Sequence, residues 1–301
     1  MKVAGFTIVR NALKYDYPVL ESIASVLPIC DEVLVSVGQS DDDTLNLIKG
    51  IPGCKIKIME SKWNDDMRTG GLVLAHETNK AKDALNTDAD WLFYIQADEV
   101  LHEDGLEKVR EAMLKWKDDK NVEGLIFNYR HFYGSYAYEV ESFSHWYAKE
   151  IRIIRNSPLI RSYRDAQGFR RYNTREPDDI QLINGGSKLK VKDTGAYIYH
   201  YGWVKNPYIQ KRKWSNFQKL WHNDDWITKN EDINPEYDYS QEVALMNFTG
   251  KHPAVMNVRI KMQDWNFKPV RRKLTLKERA LSFTIRHFGW NPGLYRNYKL
   301  I

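Results

Sequence analysis

Over the first hundred residues, short apolar runs alternate with stretches in which apolar positions recur every three or four residues. Residues 3–9, 32–37, 55–59 and 91–95 read as strands. The last, Trp91-Leu92-Phe93-Tyr94-Ile95, has no polar interruption, as expected of a strand covered on both faces. Between them, residues 17–27 put Leu20, Ile23 and Leu27 on one helical face. Residues 44–49 form a short helix ended by Gly50 and Pro52, and residues 71–85 a longer one. This alternation predicts right-handed crossovers and an α/β fold with a mainly parallel central sheet flanked by helices.

Beyond Leu101 the pattern loosens. Residues 104–116 carry a helical stripe of Leu106, Val109 and Met113, and residues 124–129 and 150–155 read as further strands. The aromatic stretch 130–147 between those strands predicts a loop or hairpin lining a cleft. Charge, Gly and Pro dominate residues 161–192, which predicts an exposed excursion. A short strand, 196–199, then delivers His200. A break near residue 205 divides an α/β body, 1–204, from a helical extension, 205–301.

Composition narrows the class. With 43% hydrophobic and 28% charged residues among 301, the chain is globular, and no apolar run is long enough to span a bilayer. Met1-Lys2 leads directly into the first strand without a signal-peptide pattern, and Cys30 and Cys54 lack zinc or C-x-x-C spacing, so a cytoplasmic protein with reduced cysteines is expected. From Lys268 to Arg286 there are seven basic residues and one acid, an excess larger than the +5 of the whole chain. The body is therefore near neutral, which argues against nucleic acid as a partner.

The chemistry gathers where strands end. Arg10-Asn11 follows the first strand, Gln39-Ser40-Asp41-Asp42-Asp43-Thr44 the second, and Gln96-Ala97-Asp98-Glu99 the fourth. In an open α/β sheet these ends share one rim, where ligands bind. Asp98 and Glu99 offer hard oxygen ligands suited to Mg2+ or Mn2+ and a phosphate, although an acidic turn reads equally well. Asp41 and Asp43 read as helix caps. There is no G-x-G-x-x-G and no Walker A sequence, which argues against a dinucleotide oxidoreductase or a P-loop ATPase.

Thr7-Ile8-Val9-Arg10-Asn11, Cys30-Asp31-Glu32-Val33-Leu34-Val35, Gln39-Ser40-x-Asp42-x-Thr44 and the stretch from Trp91 to Glu99 occur in the order and spacing of glycosyltransferase family two, of GT-A fold, which the chain resembles over about residues 1–105. The resemblance implies a nucleotide-binding half, 1–105, and an acceptor half, 106–204. It places the nucleotide of a nucleotide-sugar donor against Ile8, Arg10, Asn11, Gln39, Ser40 and Asp42. Asp98 matches the second acid of the family's Asp-x-Asp metal motif, Gln96 stands in place of the first, and Glu99 keeps a second carboxylate beside it. Related enzymes sometimes place a late histidine on the metal or diphosphate, which points to His200. Arg68 and Asn79 are expected to face the donor sugar, and Lys205, Lys211 and Arg212 to neutralise phosphate unless they are a solvated helix face. The base that deprotonates the acceptor is expected among Glu141, Glu150 and Asp165, with Asp165 favoured for its glycine-flanked polar loop.

The expected activity is a divalent-metal-dependent, inverting transfer of a sugar to a glycan or lipid-linked acceptor. A nucleotidyltransferase, or a non-catalytic carbohydrate- or nucleic-acid-binding module, is the alternative. In the tail, Thr275 and Glu278 have capping-box spacing and Gly289 is the expected stop. The helix between them, with Leu281, Ile285 and Phe288 on one face, suits either self-packing on the body or a peripheral contact with an anionic membrane.

Overall fold

The structure is a computed structural model that describes the chain apart from residues 86, 142–145, 231–232, 241–242, 271, 273 and 289–295, and apart from the side chains of 286–288. Gly289, the side chains of Arg286 and Phe288, and part of the aromatic stretch 130–147 thus lie outside the described residues.

The first half follows the apolar pattern closely. In chain order it contains β1 (Val3–Val9), α1 (Val19–Val26), β2 (Glu32–Gly38), α2 (Thr44–Lys49), β3 (Ile56–Ser61), α3 (Leu72–Ala84), β4 (Trp91–Tyr94), β5 (Glu99–Leu101) and α4 (Leu106–Trp116). The second half contains β6 (Gly124–Tyr133), β7 (Ser135–Val140), β8 (Lys149–Arg155), β9 (Ile160–Tyr163), β10 (Gly168–Arg171), α5 (Asp179–Asn184), β11 (Ser187–Lys188) and β12 (Lys190–Trp203). Then come α6 (Pro207–Gln218), α7 (Asp224–Lys229), β13 (Leu245–Asn247), α8 (Asn257–Lys261), α9 (Leu276–Phe288) and β14 (Lys299–Leu300).

Among the described residues eleven strands form one sheet, ordered β13-β7-β6-β8-β4-β1-β2-β3, with β12 beside β6 carrying β5 and β14. β1, β2, β3 and β4 pair in parallel, as expected, while β8 joins β4 antiparallel and begins a mixed half. Strand polarity sorts the core into two layers, because successive residues of a strand face opposite ways. Val33, Val35, Val37, Trp91, Phe93 and Ile95 pack under α1, α2 and α4; Leu34, Phe6, Leu92 and Tyr94 pack against α3 and Phe169. Phe6, Tyr94 and Phe169 meet with centroids 5.2–6.4 Å apart, a spacing at which aromatic pairs attract.

Two expectations are corrected. Residues 161–192 are not a free excursion: β9, β10 and β11 form a second antiparallel sheet that buries Tyr163, Phe169, Leu182 and Leu189, and Arg161 is itself buried and paired with Asp83. Residues 205–301 are not simply a helical appendage, since β13 extends the main sheet beside β7 and β14 pairs with β12.

The connections β1 to β2 to β3 run one way along the sheet, and β4 then returns to the other side of β1. The carboxyl ends of β1 and β4 therefore flank the point where strand order reverses, the position at which such sheets leave a crevice.

Candidate active site

A cleft of about 830 Å³ opens at that point. The end of β1 supplies Ile8, Arg10 and Asn11, the end of β4 supplies Gln96 and Asp98, β12 supplies His200, and the loop between β9 and β10 supplies Asp165. Arg68, ahead of α3, also lines it and is paired with Asp224. Eight of the expected site residues thus share one cavity.

The Gln39–Thr44 turn acts from behind. Ser40 Oγ accepts the Asn11 N–H (3.0 Å), Thr44 Oγ1 the Ala12 N–H (2.7 Å), and Asp42 Oδ2 the Lys14 N–H (2.7 Å). Asn11, at a φ of 56°, returns the bond by accepting the Asp41 N–H (2.7 Å). Gln39 contributes its carbonyl, which accepts from Arg10 Nε (2.9 Å), and Arg10 also pairs with Asp65 beside Trp63. Ser40, Asp42 and the Gln39 carbonyl are therefore supports for the cleft wall, not its lining.

Asp98 is the centre of charge. Lys213 Nζ lies 3.2 Å from its Oδ2 and also donates to the Gly202 carbonyl (2.8 Å); His200 Nε2 lies 3.7 Å from the same oxygen. Burial works against the Asp98 charge, but Lys213 and then His200 outweigh it and hold the carboxyl well below the usual carboxylate range. Lys205, buried behind and donating to the Asp16 carbonyl (2.6 Å), is pushed down to about 7 by burial and then by Lys213. His200 is aimed by His131. Burial pushes His131 down to about 3, so its ring is neutral, and its Nε2 sits 2.7 Å from the Tyr147 carbonyl, which can only accept. The His131 Nδ1 must then accept from His200 Nδ1 (3.0 Å), which leaves His200 Nε2 facing Asp98.

Asp165 stands elsewhere on the wall, between Arg164 and Ala166, both at positive φ. Burial pushes its carboxyl up, and among the described residues no side chain hydrogen-bonds it. Gly71 makes room for it: at a φ of 69°, a Cβ there would come within 2.8 Å of Asp165 Cβ.

Besides Gln39, Ser40 and Asp42, four more expected site residues do not reach the cleft. Glu99, one residue after Asp98, turns into the sheet, where Arg152 grips it through Nε and Nη2 (2.8 Å each) and Tyr129 Oη (2.9 Å) and Gln96 N (3.1 Å) also donate to it. Both partners of that ion pair are fully buried, so Glu99 is no metal ligand. Glu150 is buried with Asn297 Nδ2 on its carboxylate (2.9 and 3.1 Å). Glu141 is buried with Ser282 Oγ at 3.2 Å. Asn79 makes paired bonds with the Ser162 backbone (2.8 and 3.0 Å) and faces away from the cleft.

Reading the sequence overlooked one wall altogether. Gln210, Lys213, Trp214 and Phe217 of α6 line the cleft at three- and four-residue spacing, and Lys213, not its neighbours Lys211 and Arg212, faces in. That spacing behind the N-terminal Pro207 was the available signal. Tyr15, Tyr17, Trp63, Trp146 and Trp203 complete an aromatic lining suited to sugar rings and a base.

No family model matches the chain, and no curated protein matches it. Several solved structures do. S. aureus TarS 1-349 in complex with UDP is 14% identical over 78% of this chain and 68% of that chain, with a TM-score of 0.41. TarS 1-349 alone matches at 15% identity over 53% of this chain, with a TM-score of 0.36, and the match spans 48% of its length. Glucosyl-3-phosphoglycerate synthase from Mycobacterium tuberculosis, in complex with Mn2+, UDP and phosphoglyceric acid, matches at 14% identity over 43% of each chain, with a TM-score of 0.27. Each of these likenesses is partial, at low identity and with a TM-score below 0.5.

Whether the cleft suits a divalent ion turns on its donors. Asp98 and His200 are two, and among the described residues no cluster of three or more His, Cys, Asp or Glu is placed to share an ion. Ion–oxygen distances are about 2.0–2.6 Å, so an ion on Asp98 Oδ2 would crowd the Lys213 ammonium. At about 4 Å and an effective dielectric of ~20, two unit charges repel by about 4 kcal/mol, and a doubly charged ion roughly doubles that. With Lys213 in place, the residues present do not fit a divalent cation.

Proposed function

We propose that the chain transfers a sugar from a nucleotide-sugar donor to a hydroxyl of a glycan or lipid-linked acceptor, with inversion at the anomeric carbon. The reading is carried by one observation: a cleft at the sheet's switch point holds Asp98 among basic groups and a second carboxylate, Asp165, to which no described side chain hydrogen-bonds. Asp165 takes the acceptor's proton, and the acceptor oxygen forms a bond to the anomeric carbon. The bond from that carbon to the diphosphate breaks, and its electron pair leaves on the phosphate oxygen. The raised Asp165 carboxyl suits a base, because a group that holds its proton more tightly accepts one more readily.

Arg10, with Trp63 beside it, and the aromatic wall are assigned to the nucleotide and sugar. For the acceptor, α6 presents Trp214 and Phe217. No described helix is long and apolar enough to cross a membrane. α9 exposes Leu276 and Phe283, while its Ser282 packs on Glu141, so a membrane-surface contact and docking on the body can coexist.

Release of nucleoside diphosphate, measured over a panel of sugar nucleotides, tests the reading. Asp98→Ala is expected to abolish it in a protein that still melts cooperatively, and undiminished turnover would refute the site.

A further inference from the structure

The resemblance to metal-dependent enzymes and the donors in this cleft disagree, and the disagreement has a chemical content. We infer that Lys213 supplies, as a fixed ammonium, the positive charge that a divalent cation would otherwise bring to the donor's diphosphate, so that donor binding here needs no metal. This rests on the nucleotide-sugar reading above.

An ammonium has three hydrogens. Two are used, on Asp98 Oδ2 (3.2 Å) and the Gly202 carbonyl (2.8 Å), and the third is left for the cavity that Lys213 lines. The side chain is pinned and mostly desolvated: its Nζ lies 4.9 Å from the centroid of the Tyr17 ring, and it is 15% exposed. Asp98 thereby becomes the holder of the lysine. Gly202 is part of the same device. A Cβ there would lie 2.7 Å from both Asp98 Oδ2 and His200 Nε2, so only glycine lets β12 deliver its carbonyl to the ammonium while those two groups stay together. The second carboxylate that a metal would call on, Glu99, is spent on Arg152. When the bond from the anomeric carbon to the diphosphate breaks, the electron pair passes to the phosphate oxygen, and the ammonium meets that charge with a hydrogen bond already oriented.

The test is calorimetric titration of the full chain with UDP, GDP, CDP and dTDP, in EDTA and again in Mn2+. At least one nucleoside diphosphate is expected to bind in EDTA with an affinity within about twofold of that in Mn2+. Lys213→Ala is expected to weaken binding in EDTA by about 10- to 100-fold, as for a lost charged hydrogen bond. Binding that appears only with Mn2+, or an alanine variant that binds like the native chain in EDTA, overturns the inference and leaves the nucleotide-sugar reading standing. If none of the four binds under either condition, that reading falls, and the inference with it. Should the variant fail to fold, the two titrations of the native chain still decide.

Discussion

Glu99→Gln separates a structural carboxylate from a ligand. Glu99 accepts four hydrogen bonds, two from Arg152 and one each from Tyr129 and Gln96, at 2.8–3.1 Å. The glutamine keeps the shape but removes the charge, and it turns an amide donor toward a site that contains only donors. Arg152 is left charged and fully buried. Removing one partner of such a pair costs about 3–5 kcal/mol. For a domain of this size each kcal/mol lowers the melting temperature by roughly 2 °C, so a fall of about 6–10 °C is expected. Differential scanning calorimetry reads the shift, and titration with nucleoside diphosphate well below the transition should find binding retained. A variant that melts within about 1 °C of the native chain yet no longer binds would refute the assignment and return Glu99 to the ligand set.

Two further outcomes concern the site, and a third concerns the buried Glu150 outside it. Asp165→Asn should leave donor binding intact while transfer falls by about 10²- to 10⁴-fold, as for a lost general base; loss of donor binding instead would remove Asp165 from that role. The transfer rate of the native chain should fall as pH drops through the Asp165 carboxyl, at a pH above that of an ordinary aspartate, because burial raises it; a profile flat down to pH 4 counts against it. Glu150, pushed up to about 7 by burial against the opposing pull of Arg152, keeps its proton in the folded state where the unfolded chain has lost it. Its contribution to stability is fully present below about pH 4.5 and is lost as pH rises through about 7, a change of about 3 kcal/mol that urea unfolding of Glu150→Gln should show flattened.

The parts of the fold that the sequence displays are those where one rule acts alone. β1 and β4 are buried on both faces, so their apolar runs are continuous and their ends are easy to place. Asp98 and Glu99 show where that clarity stops. Asp98 lies in the turn between β4 and β5 and Glu99 opens β5, and only the packed sheet decides that Asp98 meets the cleft and Glu99 meets Arg152. Lys213 was hidden in a run of three basic residues, because the face of α6 that turns inward depends on contacts with Gly202 and with Tyr17, the latter far away in the chain. The second sheet was masked by its own charge: Arg161, Arg164, Asp165, Arg170 and Arg171 outnumber the apolar residues among them, yet Tyr163 and Phe169 fix the packing.

The brace behind the first loop limits how the phosphates of the proposed donor would be held. In many nucleotide sites, main-chain amides form the anion's cradle. Here the amides of Asn11, Ala12 and Lys14 are already committed to Ser40, Thr44 and Asp42. The donor's diphosphate, on the proposed reading, would not recruit those three amides, so its discrimination would pass to the tips of long side chains, which single substitutions can retune without reshaping the backbone.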